Sequence, residues 1–171
     1  ADYPLHFKSM KPNFQSMIRN RILAFLIVMV SISCNKNDGN CPDVTDSAPA
    51  AEIATLKAYL DAANITATED SRGFFYTILS TGSGDHPSAC AGVTVDYTGE
   101  LTNGVEFDNG TDVSFNLSQL ITGWQAGIPL IAPGGQIILY LPPSLAYGSS
   151  GSGTIPPNAN LIFTIKLIDV Y

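Results

Sequence analysis

From Val93 to Thr102 the chain alternates between apolar and polar side chains. Val93, Val95, Tyr97 and Leu101 fall on one side, and Thr94, Asp96, Thr98, Glu100 and Thr102 on the other. Successive residues of a strand point to opposite faces, so this pattern predicts an antiparallel sheet that is wet on one side. Asn103-Gly104 follows directly and is a strong hairpin-turn signal. Other short strands are expected at Phe74–Leu79, broken by the loop Gly82-Ser83-Gly84-Asp85-His86-Pro87, and at Val113–Leu117. Another covers Gln136–Leu141, ended by Pro142-Pro143, and the last one presents Leu161, Phe163, Ile165 and Leu167 on a single face. Residues Trp124–Ile131 can form one or two helical turns, stopped by Pro133-Gly134-Gly135. Several antiparallel strands and one short internal helix make an α+β domain, in which a half-rolled sheet wraps the helix. The 15 Gly and 11 Pro suit such a turn-rich chain. No internal repeat is present.

An extra N-terminal helix is expected at about 49–63, because Ile53, Leu56, Leu60 and Ala63 share one face. Asp46 or Ser47 can cap its start and Asn64 can end it. Its expected role is packing against the domain. The polar segment 34–48 reads as a flexible tether. Before it stand a basic stretch, Met17–Arg21, and an unbroken apolar run of nine residues, Ile22–Val30. That run is too short to cross about 30 Å of hydrocarbon, so 17–33 reads as a signal peptide. The small residues Ser31-Ile32-Ser33 ahead of Cys34 resemble a bacterial lipobox, although Ser31 stands where leucine is usual. Cys34 would then carry the lipid, giving an exported lipoprotein at the periplasmic or outer-membrane face. An ordinary secretory signal, releasing the protein to the periplasm, is the alternative. Residues 1–16 are an extension of unassigned origin.

Residues 1–33 hold four of the eight basic groups and one of the fifteen acidic ones, so four basic against fourteen acidic groups remain, a balance of −10. A chain this acidic, with no basic stripe, excludes nucleic acid and anionic lipid as electrostatic partners. Any membrane attachment must come from the N-terminus. If Cys34 is acylated, Cys41 and Cys90 are left, and they either pair in an oxidising compartment or stay as two thiols. No CxxC occurs and His86 is the only histidine after the leader, so neither a metal nor a cofactor is expected. The run Gly148–Gly153 is not a phosphate loop, since Ile155-Pro156-Pro157 follows it instead of a helix. It is better read as a loop over a pocket. Ser-His-Asp hydrolysis lacks a Gly-x-Ser-x-Gly element.

Three motifs remain in the last part of the chain. Val93–Leu101 leads through Asn103-Gly104 into Phe107-Asp108; Gly123-Trp124 lies between; Leu145-Ala146-Tyr147-Gly148 and Thr154-Ile155-Pro156-Pro157-Asn158 follow. In this order and spacing they resemble the FKBP family of peptidyl-prolyl cis-trans isomerases, the macrolide-binding immunophilins, over about residues 73–171. The resemblance implies isomerisation of X-Pro bonds and a pocket open to macrolide inhibitors. Taken with the leader, the substrates are exported polypeptides during folding, and nothing in the sequence suggests more than a monomer. The resemblance also implies that Tyr97, Phe107, Asp108, Trp124, Tyr147 and Phe163 are the catalytic pocket. Leu120 and Ile121 match the pair whose backbone meets the ligand, and Ile155 also matches a pocket residue. Val113 or Phe115 stands where the family usually has an aromatic wall. By the same resemblance Trp124 is the pocket floor, Asp108 orients a neighbouring ring or polarises the site, and Tyr147 donates its hydroxyl to the substrate carbonyl. Read without the family, Trp124, Tyr97 and Phe163 serve equally well as core, and Asp108 as a turn-former beside Asn109-Gly110. The same pocket could also grip proline segments without turnover, or belong to a domain that is only a spacer.

Overall fold

The computed structural model describes residues 41–171, and Cys34 with the apolar run before it lies outside the described residues. Helix α1 spans Ala50–Ala62. The position before it is Pro49, and no side chain caps the start, so neither Asp46 nor Ser47 has the expected capping role. Proline fits here because its fixed φ suits a helix entrance and its missing N–H would be unpaired anyway. Asn64, in the left-handed region at φ 55°, ends the helix as expected.

The strands are β1 (Thr68–Glu69), β2 (Phe75–Ser80), β3 (Gly92–Leu101), β4 (Glu106–Asn116), β5 (Gln136–Leu141) and β6 (Leu161–Val170). They form one open antiparallel sheet in the order β1-β2-β5-β6-β3-β4. A short helix α2 (Thr122–Gly127) continues as a 3-10 turn over Ile128–Leu130. The architecture is the α+β arrangement expected, with β1 as an additional short strand.

The two faces of the sheet are covered differently. Val93, Val95, Ile137, Leu139, Leu141, Leu161, Phe163, Ile165 and Leu167 form one buried face, packed with Trp124, Ala126 and Ile128 from α2 and the turn after it. Helix α2 sits close on β5: a Cβ on Gly123 would come within 2.5 Å of the Leu141 side chain. The intervening residues Phe75, Ile138, Tyr140 and Ile162 point the other way and pack with Leu56 and Leu60 of α1. Helix α1 therefore covers the opposite face over β2, β5 and β6. The wet face expected from the alternation survives beyond it, where Asp96, Thr98, Thr111, Thr164 and Lys166 line a shallow polar groove.

Strand β4 departs most from the sequence reading. It runs for 11 residues, where only Val113–Leu117 was expected. Its register with β3 shifts twice, between Val95↔Val113 and Tyr97↔Gly110 and again between Gly99↔Asp108 and Glu100↔Glu106. Each shift inserts one extra residue in β4, and such bulges destroy the period-two signal. Asn109-Gly110 consequently lies inside a strand and not in a turn.

The segment expected as a tether is held against the domain from Cys41 onward. Val44 packs on the core, and the buried Ala48 donates its N–H to the Arg72 carbonyl at 2.8 Å. Cys41 and Cys90 are joined in a disulfide, with their Cα atoms 5.7 Å apart and 49 positions between them in sequence. Closing a loop of that length stabilises a fold by about 2–4 kcal/mol. Guanidinium unfolding with and without reductant measures this. The reduced protein is expected to unfold at lower denaturant by that margin, and identical midpoints would count against the bridge.

Candidate active site

Four elements and one loop converge on one cavity. Strand β3 brings Tyr97, β4 brings Asp108 and Phe115, and β6 brings Phe163. Leu120, Ile121 and Trp124 come from the entrance and first turn of α2, and Tyr147 from the loop after β5. These eight residues line about 130 Å³. Trp124 is nearly fully buried, and three rings meet it edge-on: Tyr97 at 5.2 Å, Phe163 at 5.3 Å and Phe115 at 5.9 Å between centroids. Phe115, not Val113, supplies the aromatic wall. Val113 points inward one pair further along, its methyl group beside Gly110 where that glycine faces Tyr97.

Phe107 and Ile155 stand just behind the lining. Phe107 meets Phe163 edge-on at 5.5 Å. Gly99 makes that contact possible, since a Cβ there would lie 2.7 Å from the Phe107 ring and 2.9 Å from that of Phe163. Ile155 is buried, fixed by reciprocal backbone bonds with Ser152. The loop Gly148–Gly153 is thereby tied back, and Asn158 donates to the Gly148 carbonyl. The bulge in β4 explains how Phe107 and Asp108, neighbours in sequence, serve the same side of the sheet. In a regular strand they would face opposite ways.

Polar groups are few, and most are already engaged. Tyr97 donates its hydroxyl to Asp108 Oδ2 at 2.9 Å, and the Asn109 N–H donates to Oδ1 at 2.9 Å, so both carboxylate oxygens are held. Burial, with the Asp108 bond second, pushes the Tyr97 phenol up to about 12. Burial and then the Asp108 charge also push the Tyr147 phenol up. Tyr147 is 37% exposed, and among the described residues its hydroxyl makes no hydrogen bond. Gln125 was not anticipated from sequence. Its Nε2 donates to the Leu120 carbonyl at 2.7 Å and braces the backbone at the mouth of the cavity. Nothing in the local pattern marks it. Gly99 was also not singled out, although the signal exists: it is a glycine at an inward-facing position of an otherwise bulky strand. Elsewhere His86, half a loop away, bonds the Pro129 carbonyl through Nδ1 at 2.8 Å and takes no part in the cavity.

Residues 84–168 match the family model for the FKBP-type peptidyl-prolyl cis-trans isomerase. The structure is similar to the 1.6 Å crystal structure of a peptidyl-prolyl cis-trans isomerase from Pseudomonas syringae pv. tomato, with a TM-score of 0.63 and 32% identity, covering 74% of this chain and 98% of that one. The chain belongs to the FKBP-type peptidyl-prolyl cis-trans isomerase family. It is also similar to the crystal structure of FkpA from Escherichia coli, with a TM-score of 0.64 and 38% identity, over 71% of this chain and 60% of that one. In sequence it is 43% identical over 104 residues to FkpA of Escherichia coli strain K12. It is 44% identical over 103 residues to a probable FKBP-type isomerase of Haemophilus influenzae. These matches cover 58% and 57% of this chain, and the chain spans only 38% and 43% of the length of those two relatives.

The Tyr97–Asp108 bond makes a titration prediction. The folded state holds the Tyr97 proton more tightly than the unfolded chain, whose phenol ionises near its ordinary value of about 10. The resulting stabilisation is complete below pH of about 10 and is lost as pH rises through about 12. Alkaline titration followed by phenolate absorbance should show a late component that Tyr97→Phe removes. Asp108→Asn should lower that component without abolishing it, because burial is the larger cause.

Proposed function

We propose that this chain is a peptidyl-prolyl cis-trans isomerase acting on X-Pro bonds of polypeptides. The observation that carries the reading is the cavity itself: an aromatic floor and walls whose polar side-chain groups are the Asp108 carboxylate, the Tyr97 hydroxyl bonded to it and the Tyr147 hydroxyl. Rotation about the peptide C–N bond costs about 18–20 kcal/mol because of its partial double-bond character. Uncatalysed, it takes tens to hundreds of seconds. The planar amide is more polar than the twisted transition state, so a dry apolar cavity disfavours the ground state relative to the twisted one. No nucleophile and no metal is needed. Each tenfold gain requires about 1.4 kcal/mol, which modest differential binding supplies.

In this reading the proline ring rests on Trp124 between Tyr97, Phe115 and Phe163. Asp108 acts chiefly by orienting Tyr97, consistent with its two engaged oxygens. Tyr147 donates its unengaged hydroxyl to the carbonyl that turns. Leu120 and Ile121 present their backbone to the bound chain, the first with its carbonyl held by Gln125. Phe107 and Ile155 support the walls. A proline-mimetic macrolide would occupy the same space and compete.

Two kinds of substitution should separate in a protease-coupled peptide assay. Tyr147→Phe removes one hydrogen bond, typically about 0.5–1.5 kcal/mol, so the rate should fall roughly ten-fold or less. Phe107→Ala or Phe163→Ala admits water and removes packing, so each should cost more and weaken macrolide binding, in protein shown to be folded. His86→Ala should leave the rate nearly unchanged. A folded His86→Ala protein that loses most activity while Phe107→Ala keeps it would reject desolvation as the mechanism.

We further propose export and acylation at Cys34, on the strength of the basic, apolar, small-residue and cysteine order from Arg19 to Cys34. The clients would then be exported polypeptides during folding, with the lipid as the only membrane contact. The Cys41–Cys90 bridge accords with an oxidising compartment. Intact mass of membrane-extracted protein should show cleavage before Cys34 plus acyl mass. A soluble chain beginning elsewhere would exclude the lipid and leave simple secretion.

A further inference from the structure

We propose that Glu52, on the N-terminal helix and outside the family-matched residues 84–168, is a positioning residue for Tyr147. This rests on the isomerase reading above and deepens it. Tyr147 follows the 3-10 turn Pro143–Leu145. Pro142 and Pro143 have no N–H, so Ser144 is the first donor of that turn and finds no acceptor within it. Glu52 Oε2 accepts this N–H at 2.9 Å, across 92 positions in sequence. Among the described residues it is the one side-chain hydrogen bond from α1 to the rest of the domain, since Thr55 and Lys57 bond only within the helix.

The peptide plane makes the link to Tyr147 direct. The Ser144 N–H and the Pro143 carbonyl belong to the same rigid peptide unit. That carbonyl accepts from Ala146 N at 2.9 Å and from Gly148 N at 2.8 Å, the residues on either side of Tyr147. Glu52 therefore fixes the orientation of one plane, and the plane anchors the backbone that carries the phenol into the cavity. The carboxylate gives a charge-assisted bond, stronger than a neutral acceptor at the same distance. Helix α1 is independently docked by Leu56 and Leu60, both almost fully buried, so removing the carboxylate leaves the helix in place.

The test combines Glu52→Ala, Glu52→Gln and Tyr147→Phe, with Lys57→Ala as a surface control on the same helix. Glu52→Ala is expected to lower kcat/KM roughly two- to five-fold. Glu52→Gln keeps an acceptor oxygen and should restore most of it, and Lys57→Ala should change nothing. Because Glu52 acts through Tyr147, the Glu52→Ala and Tyr147→Phe double variant should be no slower than Tyr147→Phe alone. Losses that multiply in the double variant, or a Glu52→Ala rate equal to that of the unaltered protein, would overturn the assignment. Amide exchange at Ser144 supplies a readout independent of turnover: it should quicken in Glu52→Ala and stay slow in Glu52→Gln. Should the unaltered protein fail to isomerise any peptide, the proposed function falls, and Ser144 exchange alone then decides whether Glu52 holds this turn.

Discussion

Trp124 is the point at which sheet and helix are joined. Rings from β3, β4 and β6 reach it edge-on, and each such pair adds about 0.5–1.5 kcal/mol beyond the apolar area it buries. Those three strands are successive neighbours in the sheet, so the indole fixes their curvature as well as the seat of α2. The arrangement leaves the indole Nε1–H buried without a partner. An unmet buried donor costs about 1–3 kcal/mol. The fold carries that cost at the residue on which three strands and α2 are packed.

Core and cavity are consequently one set of residues. Phe163 lies on the buried face of β6 with Leu161 and Ile165, and its ring is also a wall. The alternatives of packing and site for Tyr97, Trp124 and Phe163 thus do not compete. The sheet has a second set of apolar residues on its other face, and α1 covers it through Leu56 and Leu60 while Ile53 also packs on the first set. The one polar reach of α1 around the domain ends at Ser144.

What could be read in advance follows from period. In β3, β5 and β6 the inward residues recur every second position, and those strands stand within one or two residues of their expected ends, save that β6 extends to Val170. Strand β4 was opaque because two bulges move its inward residues out of step: Phe107, Asp108, Gly110, Val113 and Phe115 all turn to one side. The motif residues of the cavity were legible only jointly, as an order of short signatures. Gln125 and Glu52 were not legible at all. Each acts by bonding a backbone group of another segment, and that depends on where two segments meet, not on what surrounds the residue in sequence.

The bulged strand has a further consequence. Strand β4 is the last in the sheet order, and among the described residues its outer edge has no partner strand. A long flat edge would be a template for strand addition, the first step of aggregation. Two bulges break the ladder of available N–H and carbonyl groups, and Glu106 and Asp112 add exposed carboxylates along it. A neighbouring extended chain finds no continuous register to zip onto. The irregularity that hid β4 from a periodic reading is thus also what closes this edge to strand addition.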